Sequence, residues 1–506
     1  MKIKIWKLQS ASYLVLLLPS IFFIAGWVST IIAIPAILAL LAAYFFIVRN
    51  AKKNYEAVFE LDKSSVITIA VLMFIWCYVS GHGGFFYQSN DHHWRNAILR
   101  DLINFDWPVI YEGSDSSLVY YIGFWLIPAA VGKIFALFAG AKTVWLAANI
   151  AMFIWSYIFL CLISVLVCYI TKAVTYKKVL LATLILIFFS GMDIIGILMT
   201  RSWNVSGIPN HLEWWAVEYQ YSSNSTQLFW VFNQSTPAWL ATALFLAEKN
   251  VKNFIFLCLS ILACSPFPLV GLFLLLLCVG IKFLLNAIRN DKVKDFFKDA
   301  FSPQNIIAVL VILPVFYLYY KGNVAIETKG FHFFMGNMKT GEINVIVRYV
   351  LFCLLEFALL ALLLIKENRK KPLYWFAVIS LFVLGAFRMG TAADFAMRAT
   401  IPALFVLMVL TINHFNDNIV IRKEASERYV CLRRTSIALI AVLIIGSITP
   451  LVECFRAFNA VYVEGKLNLA ADRIVAFSDK PVKDYKNFMS EHYRETEFYK
   501  LLQKKK

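Results

Sequence analysis

The densest run of reactive side chains lies at residues 83–112, which read GGFFYQSNDHHWRNAILRDLINFDWPVIYE. Asp91, His92, His93, Arg95, Arg100, Asp101 and Asp106 all fall in it, and its middle, 91–104, has the pattern of a short helix that stops ahead of Pro108. At helical spacing Asp91 and Arg95 are one turn apart. A carboxylate so placed can take a proton from a hydroxyl while the adjoining cation holds an anionic leaving group. The two can equally pair with each other, and Asp91, Asn90 or Ser89 can simply cap the helix. Adjacent histidines suggest a metal ion, but neighbours on a helix point about 100° apart and do not easily face one ion. No cofactor is therefore expected, a divalent metal stays open as an unsupported alternative, and His92 and His93 are read as substrate contacts.

Other polar stretches supply possible partners. Residues 201–234 read RSWNVSGIPNHLEWWAVEYQYSSNSTQLFWVFNQ and hold His211, Glu213, Trp214 and Glu218. Indoles beside a few carboxylates suit a carbohydrate, whose faces stack on rings and whose hydroxyls donate to acids; the same aromatics also anchor loops at a membrane surface. Arg388 and Arg398 bracket MGTAADFAM, with Asp394 between them. Two guanidiniums can grip one phosphate by forked hydrogen bonds, or the three groups can form a local Arg–Asp cluster that seals a turn. Arg95, Arg201, Lys329, His332, Arg388 and Arg398 are thus the cations available to an anionic substrate.

The scaffold that must position these groups is legible in the composition. Of 506 residues 60% are hydrophobic and 16% charged, with mean hydropathy +0.70, against about 45–50% and about 25% in a soluble domain. Apolar blocks such as 11–48, 179–198 and 344–365 are long enough for membrane helices, which need about 20 residues. An all-α polytopic bundle of about thirteen spans is expected, near 12–28, 30–48, 65–82, 144–170, 179–199, 228–247, 253–265, 268–288, 305–320, 344–365, 373–388, 399–414 and 435–452. With the N-terminus inside, the clusters Arg49/Lys52/Lys53, Lys172/Lys177/Lys178, Lys249/Lys252, Arg289/Lys292/Lys294, Lys366/Arg369/Lys370/Lys371 and Arg422/Lys423/Arg428/Arg433/Arg434 all fall on the cytoplasmic side, as the positive-inside bias requires. That agreement needs 118–138, with Pro128 as its weak point, to be re-entrant or interfacial rather than a full crossing. The chain then divides into an N-terminal hairpin and linker (1–64), a transmembrane core (65–452) with outer loops 83–117, 201–227, 321–343 and 388–398, and an outer tail (453–506). The net charge of +17 is explained by this topology and implies no nucleic-acid partner. Most of the nine cysteines sit inside apolar blocks without CxxC or zinc spacing, as small core residues do. Neither GxxxxGK[ST] nor a GxGxxG after a strand occurs, so nothing points to nucleotide chemistry.

Within 64–172 the order of features resembles the start of GT-C-type membrane glycosyltransferases, in the branch with the lipid A aminoarabinose transferase and the protein O-mannosyltransferases. The features are an outer loop directly after a membrane helix, an early Asp91, the stretch HHWRNAILRDL, then FDWPVIYEG and LVYYIGFWLIPAAVGK. The resemblance implies that Asp91 matches the catalytic base, that Trp107–Pro108 and Tyr120–Tyr121 match the segment after it, and that the donor is a polyprenyl-phosphate-linked sugar. The acceptor would be an envelope glycan, lipid or protein, served on the extracytoplasmic face of a bacterial-type inner or plasma membrane. The family's second acid beside the base is replaced here by His92 and His93, so that acid is unassigned, with Glu213 and Glu218 as candidates. The hairpin before residue 64 is also additional. A transporter or flippase of lipid-linked saccharides, or a saccharide polymerase or ligase, is the competing expectation; Glu356 inside an apolar block and the SPFP break at 265–268 are what favours transport.

Overall fold

A computed structural model describes residues 1–200, 211–323, 329–331, 339–340, 343–390, 393–418, 420–424, 427–431, 433–463, 465, 477 and 486–503. α1 (Ile5–Trp27) and α2 (Thr30–Asn54) form the hairpin, broken at Val28 and Ser29. α3 (Lys63–Val79) starts at Asp62, whose carboxylate accepts the Ser65 amide at 2.6 Å, one of the donors that a helix N-terminus cannot satisfy internally. Two short helices follow, α4 (His92–Asn104) and α5 (Gly123–Ala136). α5 fills the apolar stretch 118–138, but its 14 residues reach only about 21 Å, short of a hydrocarbon core of roughly 30 Å.

α6 (Ala141–Ile170) is continuous over 30 residues. α7 (Tyr176–Phe188) and α8 (Asp193–Thr200) share one apolar stretch yet are separated by unwound residues 189–192. α9 (Asn224–Ala247) is capped by Ser223, kinks at Val231 and is buried along nearly its whole length. α10 (Phe254–Ser260), α11 (Pro266–Arg289) and the short α12 (Val293–Ala300) follow. α13 (Pro303–Ile307) and α14 (Leu313–Lys321) are joined by a π turn at Ala308–Ile312, and α15 (Val345–Cys353) and α16 (Leu359–Asn368) by another at Leu354–Ala358. α17 (Pro372–Gly385), α18 (Asp394–Ala399) and α19 (Ile401–Asn418) complete the core. α20 (Arg434–Gly446) and α21 (Ile448–Tyr462) run on to Tyr462, beyond the 452/453 boundary set for the tail; α22 (Glu497–Leu502) lies within the tail.

A helix occupies each of the thirteen stretches anticipated, and eight helical stretches among the described residues are long and apolar enough to cross a membrane. The chain is an all-α protein, and its surface suits a bilayer. α2 buries only Ala33, Leu40, Ala43, Ile47 and Ala51 and turns Ile31, Leu38 and Phe45 outward. In water such a face would drive association, whereas lipid tails are its natural neighbour. Contacts between connecting segments fall into two groups. At one end strand 2–4 pairs with 58–60, and Lys252 meets Asp299. At the other, strand 116–118 is flanked by 110–111 and by 489–491 of the tail, and 329–331 pairs with 387–389.

Candidate functional site

α4 sorts the reactive residues of the first loop by face. His92, Arg95 and Leu99 recur at i, i+3 and i+7 and turn inward, where all three are buried, while His93 faces out. The two histidines therefore diverge, as neighbours on a helix must. Asp91 occupies the cap position but its side chain makes no cap hydrogen bond. It pairs instead with Arg95, Oδ2 to Nη2 at 3.1 Å, with the carboxylate 45% exposed and the guanidinium 7%. Arg95 is seated on the face of Phe232 from α9, 5.5 Å from the ring centre, an arrangement favourable to a cation.

The same device recurs on α18. Asp394 and Arg398 are again four residues apart and 2.8 Å in contact, with exposures of 40% and 8%. Close packing holds α18 in place: Gly271 of α11 lies flush on the Ala399 carbonyl, leaving no room for a Cβ, and Phe395 meets Phe267 and Phe387 edge to face.

The two pairs converge on Tyr120 and Tyr121. These rings lie 3.6 Å apart between centres and their hydroxyls are hydrogen-bonded. Burial pushes both hydroxyls above the ordinary tyrosine value, and the Arg398 and Arg95 guanidiniums pull them back. Burial disfavours the charge on Arg398, but Asp394, Tyr121, Tyr120 and Asp91 outweigh it and hold the group charged. Phe488 of the tail covers Tyr120, with ring centres 4.6 Å apart. Arg95 Nη1 and Arg398 Nε are buried and have no hydrogen-bond partner among the described residues. A buried donor left so costs about 1–3 kcal/mol, a cost that a hydrogen-bond acceptor placed beside it removes.

The remaining residues singled out in the sequence separate from this group. Arg388 lies on strand 387–389 and donates Nε to the Gly390 carbonyl at 3.4 Å. Glu218 pairs with Arg348 of α15 at 3.0 Å. Trp214 is 56% exposed and packs on His211, whose other neighbours are Trp230 and Glu453. For Lys329 only the backbone pairing with Met389 is defined. Arg201 and His332 lie outside the described residues.

Glu213 belongs to a second cluster whose key member, Asp193, the sequence did not reveal. Asp193 opens α8 just after the unwound 189–192 and accepts hydrogen bonds from Thr449 (2.8 Å), Trp215 (3.3 Å) and Ser190 (3.4 Å). Its carboxyl also meets that of Glu356, which stands in the π turn at Leu354–Ala358 with Oε1 unpartnered among the described residues. A hydrogen bond between two carboxyls requires a proton on one of them. Asp193 already accepts three donors, so Glu356 is the donor of the pair. Glu213 accepts the Ser223 amide and the Gln220 side chain, both at 2.9 Å; burial, then the Asp193 carboxylate, push it up to about 8. The legible signal for Asp193 was Ser190–Gly191 interrupting an apolar run. Gly191 is needed there because a Cβ would strike the Glu356 carboxyl.

No family model, curated protein or solved structure matches the chain. Among the described residues no three His, Cys, Asp or Glu side chains group so as to hold a metal ion.

Proposed function

We propose that the protein is an integral membrane glycosyltransferase that moves a sugar from a polyprenyl-phosphate donor to a hydroxyl on an envelope glycan, lipid or protein. The observation that carries this reading is the pairing at the Tyr120–Tyr121 end: two buried arginines, each beside a half-exposed aspartate, drawn together from positions 95 and 398. The arginines would bind the donor phosphate, and the exposed carboxylates would meet the acceptor. Asp91 takes the hydroxyl proton as the oxygen bonds to the anomeric carbon. The bond from that carbon to the phosphate oxygen breaks, and the leaving phosphate keeps the electron pair, stabilised by charges already in place. In this scheme the second acid is Asp394, because Glu213 and Glu218 are engaged elsewhere. About thirteen spans, a GT-C-like core and an extracytoplasmic site complete the reading.

Binding of a short-chain polyprenyl monophosphate to the purified protein, read by tryptophan fluorescence, tests the donor site. Wild type binds, and Arg398→Gln weakens binding by about 30-fold, as expected for loss of one charge-assisted contact of ~2 kcal/mol. Absence of binding by the folded wild type would sink the assignment.

One observation favours a second reading, transport of a lipid-linked saccharide. Asp193 and Glu356 meet at a helix break inside a membrane-length apolar stretch, and ionisable groups at broken helices mark substrate or proton pathways in transporters. Movement of a lipid-linked sugar across proteoliposomes without any change in its glycosidic bond would favour this reading.

A further inference from the structure

Beneath α4, His82, Gln88, His92, Arg95, Asn96 and Asn149 line a small cavity with about 10 Å³ for the centre of a water molecule, enough for a single one. His92 and Arg95, 2% and 6% exposed, each present a buried atom without a partner among the described residues, Nε2 and Nη1. Several of the neighbouring polar groups bond elsewhere, Asn149 donating to the Trp145 carbonyl at 2.9 Å. Asn96 donates to Gln88 at 2.7 Å, Gln88 donates to the Gly81 carbonyl at 2.9 Å, and His82 Nε2 lies 3.1 Å from the Leu228 carbonyl, to which it can only donate.

The hydrogen bonds around His92 fix what its free nitrogen offers. Ser89 Oγ gives its one hydrogen to the Phe229 carbonyl at 3.2 Å. Towards His92 Nδ1, 3.1 Å away, it can only accept, so Nδ1 carries the ring hydrogen. Burial, then the charges of Arg95 and His82, hold the ring well below the ordinary histidine value, so it is neutral. Nε2 therefore bears a lone pair, whereas Arg95 Nη1 can only donate. One water that accepts from Nη1 and donates to Nε2 satisfies both.

We infer that His92 is a positioning residue: through one water in this cavity it fixes the Arg95 guanidinium, whose other nitrogen, Nη2, is then presented to Asp91. The inference rests on the reading of Arg95 as a donor-site residue and gives His92 a role other than the substrate contact expected from sequence. It requires no ligand to be tested. In the purified full-length protein, phenylglyoxal modification of Arg95 is followed by peptide mass spectrometry. His92→Leu keeps the bulk but loses the acceptor, and modification is expected to accelerate about fivefold, the loss of one hydrogen bond. His92→Gln restores an acceptor oxygen and returns the rate to that of wild type.

Equal rates in wild type and His92→Leu, or failure of Gln to rescue, would overturn the inference. Should the Leu variant fail to fold, Ser89→Ala, which frees the ring hydrogen, carries the same two outcomes: faster modification supports, an unchanged rate overturns. A cycle with Arg95→Ala adds a functional readout. His92→Leu weakens polyprenyl monophosphate binding only when Arg95 is present; equal effects in both backgrounds would contradict it. If wild type binds no such phosphate the donor-site reading fails, while the modification rates still decide what His92 does.

Discussion

Glu213 makes the protein's stability depend on pH in a direction opposite to that of most carboxylates. Its ordinary value of 4.5 is pushed up to about 8 by burial and by Asp193, so between these two values the folded chain holds a proton that the unfolded chain has released. Stability from this group is fully present below about 4.5, declines as pH rises, and is gone above about 8. At 1.36 kcal/mol per pH unit the interval is worth at most ~5 kcal/mol. With about 2.1 cal/mol/K per residue, a chain of 506 residues unfolds with an entropy of roughly 1 kcal/mol/K, so the loss amounts to ~5 °C. Glu213→Gln carries a permanent neutral stand-in for the protonated acid. Thermal unfolding in detergent from pH 5 to pH 9 should show the two proteins converging at the acid end, with wild type falling progressively below the variant on the alkaline side. A wild-type curve parallel to that of Glu213→Gln over the whole range would refute the burial argument.

Two further substitutions probe the packing that places each cluster. Gly271→Ala drives a Cβ into the Ala399 carbonyl, so α18 must shift; polyprenyl monophosphate affinity is expected to fall about tenfold with a loss of stability of ~1–3 kcal/mol, and unchanged binding would mean that Arg398 does not need this seat. Glu356→Gln keeps a donor for Asp193 and should unfold within about 1 kcal/mol of wild type, whereas Glu356→Ala removes the donor and opens a void, at a cost of about 2–4 kcal/mol. Equal loss in both variants would show that the hydrogen bond to Asp193 contributes little.

Local signals carried much of the architecture. The helix at 92–104 was legible from its amphipathic pattern and the proline beyond it, and the N-terminal hairpin from an apolar run long enough for two helices. Spacing put Asp91 and Arg95 one turn apart but left pairing and capping both open, and the structure has them paired. Arg398 was legible as a cation on the same side of the chain, but not that it, rather than Arg388, would come within the electrostatic reach of Asp91; a contact across some 300 residues of sequence leaves no periodic trace. The sequence could not say which face of α4 turns inward, and so could not say what surrounds His92. Burial of Arg95 on Phe232 decides that face, and His92 follows it three residues earlier. The acid cluster escaped because Asp193 is the first residue of α8 after an unwound segment, Glu213 stands on a short 3-10 turn and Glu356 on a π turn, and no single hydrophobic period runs through these three places.

The central claim is that Asp91 is the base of a sugar transfer, and it is tested most directly in cells carrying Asp91→Asn, compared with wild type at matched protein level. Envelope glycan composition and the pool of lipid-linked sugars are measured together. Loss of one sugar from a glycan, with its polyprenyl-phosphate donor accumulating, is the predicted result. An unchanged glycan with the variant folded and present in the membrane would contradict the account.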